Sequence, residues 1–268
     1  RPVDMHFHTS HSDGLASVPD LLRLARARSV GVAITDHNEA SGAVEACRSP
    51  LGAFVIPGME VSAEDGPHIL VYFYSAGDLA EFYARHILPA KNGSPYMAIR
   101  RTTAEILDAA GEYSCLVVAA HPYGYVLFNK GVQKCIEREY LPPGILSGFD
   151  GVEVICGSMG RPLNRKAVRL AEAGMLGITG GSDGHMPNDL GGVVACAAAD
   201  TPSEFLDRIA AHENHVIGHE KSIAGKCVAG PLILTRYIRY TIPSLRIHYQ
   251  QNVPRINRFF RGTRRNRP

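Results

Sequence analysis

Three observations predict an α/β sheet or barrel whose chemistry lies at one end of its strands. Short apolar runs alternate with helix-patterned segments through the first half of the chain. His, Asp and Glu recur where those runs end or begin. The opening stretch Asp4-Met5-His6-Phe7-His8-Thr9 spaces two imidazoles as alternate residues of a strand.

Alternate strand residues share a face. Asp4, His6 and His8 are therefore expected together, with Val3, Met5 and Phe7 on the opposite, packed side. Two imidazoles on one strand are a ready pair of metal ligands, although one such pair reads equally as two satisfied histidines. Ser12-Asp13-Gly14 is turn chemistry that can swing Asp13 back toward them. Ser17-Val18-Pro19-Asp20 opens a helix carrying Leu21, Leu22, Leu24 and Ala25, which ends near Ser29-Val30-Gly31.

A second strand, Val32-Ala33-Ile34-Thr35, ends in Asp36-His37, and residues 39–47 read as a short helix. A third, Ala53-Phe54-Val55-Ile56, leads through Pro57-Gly58 to Glu60. Asp65-Gly66-Pro67 turns the chain into a strand opened by His68. Helices are expected over 78–91 and 100–110, the second beginning with Arg100-Arg101, and then a strand over 115–120 reaches His121-Pro122.

Residues 123–148 are the least regular, with a helix around 131–140. Their aromatics Tyr123, Tyr125 and Phe128 could stack on a base or simply close the barrel. A strand over 151–155, a loop over 157–161 and a helix over 162–173 follow. Leu176-Gly177-Ile178-Thr179 then leads through two glycines to Ser182-Asp183-Gly184-His185. A strand near 192–198 and a helix near 202–212 complete this region.

The motifs DMHFHT with SDG, TDH, GME, the lone His68, AHP and GSDGH occur in order across residues 4–185. Together they resemble the PHP (polymerase and histidinol phosphatase) family of metal-dependent phosphoesterases. The resemblance implies a distorted (β/α)7 barrel with up to three divalent metal ions at its mouth. By the same resemblance, His6, His8, Glu60 and Asp183 surround one ion, and Asp13, His37 and His185 hold a second. His68 and His121 hold a third, with Glu60 bridging. Mixed nitrogen and oxygen ligands suit zinc, manganese or iron better than calcium. Such ions lower the pKa of bound water, so that hydroxide can attack phosphorus.

Asp4 and Asp36 read as residues that orient ligand histidines. His11, beside the ligand loop, is a candidate acid for the leaving group or a spectator. Arg161 is a candidate phosphate contact or a surface arginine capping its loop, and Asn164 matches the family loosely. His86, His212, His215, His219 and His248 lack motif context.

The expected activity is hydrolysis of a small phosphate ester of nucleotide or sugar-phosphate type. The alternatives are a 3'-5' exonuclease on short oligonucleotides and a non-catalytic PHP binding module. Retention of all nine expected ligand positions speaks against the last.

Charge divides the chain. Of 28 Lys/Arg and 26 Asp/Glu, residues 221–268 hold 11 of the basic residues and none of the acidic ones. A catalytic domain of net −9 over 1–220 and a basic extension over 221–268 are therefore expected. The acidic balance of the first disfavours a long polyanion lying across it. The extension could meet nucleic acid or an anionic membrane surface, or pack on the acidic domain, and Pro243 and Pro254 are expected to prevent one long helix. No run is apolar enough to span a membrane. The six widely spaced cysteines read as mostly buried thiols of a cytoplasmic protein.

Overall fold

The computed structural model describes residues 1–124 and 130–265, with side chains described except at 223, 224 and beyond 253. Tyr125 and Phe128 lie outside the described residues. The strands are β1 (Pro2–Phe7), β2 (Gly31–Ile34), β3 (Val55–Ser62), β4 (His68–Phe73), β5 (Cys115–Ala119), β6 (Gly151–Cys156), β7 (Gly177–Gly181), β8 (Val193–Cys196) and β9 (His215–Gly218). They form one sheet in the order β7-β6-β5-β4-β3-β2-β1-β8-β9.

The sheet curls until its β7 end meets β1. Gly184 donates to the His6 carbonyl (3.2 Å), and His8 donates to the Gly184 carbonyl (2.8 Å). A Cβ at Gly181 would stand 2.4 Å from His6, and one at Gly184 would stand 2.3 Å from the Phe7 ring. The glycines around Asp183 are thus what lets the barrel close. Tyr72 of β4 reaches across the interior to donate to the Met5 carbonyl (2.7 Å).

Strands β1 to β3 are parallel, as are β5 to β7, whereas β4 runs antiparallel to both its neighbours. This departs from a uniform (β/α)7 repeat because β3 turns directly into β4 without a helix. The reversal matters for the site. It puts the first residue of β4, His68, at the rim where the other strands place their last residues.

The outer layer is built from amphipathic helices. α1 (Val18–Ala27) buries Leu21, Leu22 and Ala25, and Ser17 caps it by accepting from the Asp20 amide. Also present are α2 (Ser41–Cys47), α3 (Ala76–Phe82), α4 (Thr103–Ala110), α5 (Val132–Glu137), α6 (Arg161–Gly174) and α7 (Pro202–Ala210). α4 starts at Thr103 rather than Arg100 because Thr102 and Glu105 form a reciprocal cap there. The helix expected over 78–91 loosens after α3 into a π turn, Tyr83–Ile87, and a 3-10 turn, Leu88–Ala90. Pro89 has no amide proton to continue α-helical bonding.

Two readings of the strands are corrected. β3 does not end at Ile56 but continues to Ser62, so Glu60 stands within a strand, paired opposite Leu70. β1 carries a register shift between Asp4 and Phe7. Val3 and Met5 therefore join one core while Phe7 packs in the other, against helix residues such as Leu21 and Leu22.

The extension folds as α8 (Ile223–Tyr237), a 3-10 turn (Ile238–Tyr240) and α9 (Thr241–Arg265). Its break falls at the 3-10 turn, not at the expected prolines. Pro243 sits in the first turn of α9, where no intrahelical donor is needed, and the helix runs on through Pro254. The cysteines are less buried than expected: Cys135 and Cys156 are buried, Cys115 and Cys196 half-buried, and Cys47 and Cys227 exposed.

Candidate metal centre

The barrel rim brings together nine side chains that the sequence scatters over 180 residues. His6 and His8 come from the end of β1, and Asp13 from the turn after it. His37 follows β2, Glu60 lies in β3, His68 opens β4, His121 follows β5, and Asp183 and His185 follow β7. None of the nine exceeds 8% exposure. His121 (φ 27°) and Asp183 (φ 47°) adopt left-handed backbone conformations. Strain of this kind, of order 1–3 kcal/mol per residue, persists where the surroundings demand it.

Glu60 is central. Its Oε1 lies 3.0 Å from His68 Nδ1, 3.1 Å from His121 Nε2 and 3.4 Å from His6 Nε2. Its Oε2 lies 2.8 Å from His37 Nδ1 and 3.6 Å from His8 Nε2. Asp183 Oδ1 is 3.3 Å from His8 Nε2 and 3.6 Å from His6 Nε2. Asp13 Oδ1 faces His185 Nε2 at 3.3 Å, and its Oδ2 faces His37 Nε2 at 3.7 Å.

Among the described residues, three groupings could each hold an ion: His8, Asp13, His37 and His185; His6, His8 and Asp183; and His37, Glu60 and His68. The donors fit that role. Buried His6 Nε2, both ring nitrogens of His8 and His68 Nε2 make no hydrogen bond among the described residues. Such orphaned buried groups are costly, and a divalent cation would satisfy them.

The electrostatics agree. Burial opposes the charge on Glu60, yet His68, His37 and His6 around it hold its carboxyl well below the usual range. Asp183 is likewise held low against burial, chiefly by His6. Burial and the neighbouring His185 and His37 push His8 down to about 3, and burial dominates in lowering His68 to about 3. The site thus presents ionised carboxylates and, at His8 and His68, neutral imidazoles. At His6, His37 and His185 burial is outweighed by the facing carboxylates, which raise those imidazoles, so that a bound cation would displace their protons.

A surrounding layer orients these groups. Glu153, inside β6, contacts His6 Nδ1 at 3.0 Å with one oxygen and accepts from the His121 amide (2.7 Å) with the other. Sequence reading gave Glu153 no role. Its signal was a carboxylate inside an otherwise apolar strand. Among the described residues, Asp4 and Asp36 bond to no ligand imidazole and instead hold backbone amides and nearby hydroxyls. Asp4 accepts from the amides of His6, Ser182 and Gly191. Asp36 accepts from the Thr9 amide and hydroxyl and from Ser12 Oγ.

The extension also reaches the rim, which sequence reading did not foresee. The Tyr237 hydroxyl donates to Asp13 Oδ2 (2.8 Å). Arg236 donates to the carbonyls of Ser10 (2.8 Å) and Ser12 (3.0 Å) in the loop leading to Asp13. Lys221 donates to the Asp183 carbonyl and to Asp189, both at 2.9 Å. Burial, then Asp13, pushes the Tyr237 phenol well above its ordinary value, so it stays a donor.

Other candidates lie apart from the nine. Arg161 is exposed and pairs with Glu220 (3.2 Å). Asn164 is buried, bonded to the Cys156 backbone. His11 turns onto α2, toward Ser41 and Glu45. Tyr123 packs against the apolar cluster of Val152, Val154, Ala167 and Ala171. His86, His212, His215, His219 and His248 join none of the metal-capable groups among the described residues.

The chain is similar in fold to a protein assigned as a metal-dependent phosphoesterase from Bifidobacterium adolescentis (20% identity, 83% of this chain and 98% of the other, TM-score 0.57). It also resembles endonuclease Q in complex with a 27-mer duplex carrying an abasic lesion (17% identity, 78% and 56% covered, TM-score 0.60). The lesion-specific endonuclease from Pyrococcus furiosus is a further neighbour (15% identity, 80% and 57% covered, TM-score 0.59). The chain thus corresponds to little more than half of either endonuclease chain. No functionally curated protein matches it. The sequence profile of the PHP domain matches residues 4–217, a span that begins two residues before His6 and contains all nine rim residues, and the chain therefore belongs to the PHP domain family.

Proposed function

We propose that this metal-dependent hydrolase cleaves a small phosphate ester, of nucleotide or sugar-phosphate type. The observation that carries the reading is the convergence of nine buried donors at a rim that the extension roofs through Tyr237. We assign His6, His8, Glu60 and Asp183 to one ion, Asp13, His37 and His185 to a second, and His68 and His121 with shared Glu60 to a third. Zinc, manganese and iron suit this donor set. Divalent ions held there supply an activated water and neutralise phosphoryl charge.

The protein's own part is positioning. Glu153 fixes the His6 ring, Asp4 and Asp36 fix the loops that carry ligands, and Tyr237 fixes the Asp13 carboxylate. The roof limits what can lie across the rim, which favours a small ester over a long strand. We place the boundary between catalytic domain and extension near residue 220.

The likeness to endonuclease Q supports a second reading, in which the substrate is nucleic acid. The net charge of 1–220 opposes it, because a polyanion needs a basic track. A metal-supplemented screen of nucleoside monophosphates, sugar phosphates and labelled oligonucleotides separates the two. Faster turnover of a monophosphate is expected, and preference for oligonucleotides would establish the second reading. No turnover of any of them by metal-loaded protein would leave a binding module.

A further inference from the structure

We propose that the outer face of the C-terminal extension seats this protein on an anionic lipid surface. The extension has two faces. The inner one is fixed to the domain: Ser244 donates to Ser94 Oγ (2.9 Å), Ile247 is buried against Met97 and Ala98, and Gln251 donates to the carbonyls of Ala63 (3.3 Å) and Glu64 (3.0 Å). With Tyr237, these residues recur at helical spacing on one side.

The other side is apolar and open to solvent. Leu234, Ile238, Ile242, Leu245 and Tyr249 are 65%, 68%, 81%, 64% and 70% exposed. Ile242, Leu245 and Tyr249 follow at steps of three and four along α9 and so share one face, and Leu234 and Ile238 precede them on α8 and the 3-10 turn. At 1.5 Å per residue the part on α9 alone is about 10 Å long. A soluble surface rarely displays a continuous apolar band of this kind without a partner.

Charge identifies the partner. Residues 221–268 hold 11 Lys/Arg and no acid, and Arg239 and Arg246 are exposed beside the stripe. An apolar stripe flanked by arginines suits the boundary between headgroups and acyl chains, and basic residues near it are drawn to anionic headgroups. No described helix is long and apolar enough to cross a membrane, so the extension would lie on the surface. A nucleic acid uses the cations but leaves the aliphatic stripe in water. Pairing the stripes of two copies would crowd two sets of eleven cations together with no acid in either extension. The inference is independent of which ester the site cleaves.

The test is vesicle flotation of the full chain, using phosphatidylcholine with or without phosphatidylglycerol. The wild type should float with the anionic vesicles and not with the neutral ones, and less at high salt. Ile242→Asp with Leu245→Asp should weaken flotation by about tenfold or more, since both the apolar and the charge contributions fall. These side chains are exposed, so circular dichroism and metal content should stay unchanged. Failure of the wild type to float would overturn the proposal, as would equal flotation of the double variant. A dimer in sedimentation that the variant converts to monomer, with no flotation by either, would show that the stripe serves a second copy. Oligonucleotide binding that displaces the wild type from vesicles and is unchanged in the variant would assign the charge to nucleic acid instead.

Discussion

At the barrel rim, three carboxylates and six imidazoles are packed into a buried cluster where almost every charge faces an opposite or titratable neighbour. The sequence of the extension holds eleven cations and no acid, and its apolar residues Leu234, Ile238, Ile242, Leu245 and Tyr249 face solvent. Buried charge is tolerated only when paired, so the rim must be exact in position. Exposed charge is solvated and needs no partner within the chain. The two regions meet at Tyr237, whose phenol belongs to the extension and whose acceptor belongs to the rim. Perturbing one region should therefore act on catalysis through the cluster, and perturbing the other should act mainly on what the protein touches.

The largest effect is expected at Glu60. Glu60→Gln keeps the shape but removes the carboxylate charge that faces five imidazoles. Changes one layer further out commonly cost 10–100-fold, so a loss of turnover beyond ~100-fold is expected here, with reduced metal content by elemental analysis. Near-normal turnover would break the comparison, because the cluster would then not depend on its central charge.

Glu153→Gln comes next. The amide can still accept from the His121 backbone, but it no longer polarises the His6 ring. Metal affinity should fall about 10–100-fold, measured by competition with a chromogenic chelator. Unchanged affinity would confine Glu153 to supporting the strand.

A pH effect separates the metal-free from the metal-loaded cluster. Burial opposes the charge on His185, but Asp13 outweighs it and raises the imidazole from 6.5 to about 9. A raised folded-state pKa stabilises the fold fully below pH 6.5, and that contribution is lost as pH rises through about 9. The Tm of chelator-treated protein should fall across this window, by at most on the order of 3 kcal/mol in stability. Metal-loaded protein should lack this trend, because the cation takes the place of the proton. Parallel Tm profiles with and without metal would count against His185 as a ligand.

The smallest effect is expected at the junction. Tyr237→Phe removes one hydrogen bond to Asp13, worth about 1 kcal/mol, and should lower kcat several-fold with little change in the circular dichroism spectrum. If kcat holds while oligonucleotide cleavage rises, the tyrosine selects substrate by roofing the rim rather than by holding Asp13.

Much of the rim was legible in the sequence because local chemistry dictates it. A strand fixes which residues alternate, so His6 and His8 could be paired from spacing alone. Gly184 stood in the sequence only as part of the motif that carries Asp183 and His185, and its closeness to the Phe7 ring belongs to barrel closure. Glu60 was recognised through its motif, yet its place inside β3 followed from pairing with β4 that local pattern does not reveal. Glu153 went unassigned because its partner His6 lies 147 residues away. The alternation of β1 failed at Phe7 because a bulge is set by neighbouring strands, not by the strand's own residues.

By itself, the sequence determined the alternation of strands and helices and the charge division at residue 220, since composition and short-range spacing encode these directly, and its motifs nominated the candidate donors through their likeness to the PHP family. Tertiary structure alone decided that β4 runs backward to bring His68 to the rim, that Glu153 braces His6, and that the extension turns Tyr237 inward and its aliphatic stripe outward. Each of those depends on contacts between residues far apart in the chain, where burial and hydrogen-bond satisfaction, rather than local propensity, select the arrangement.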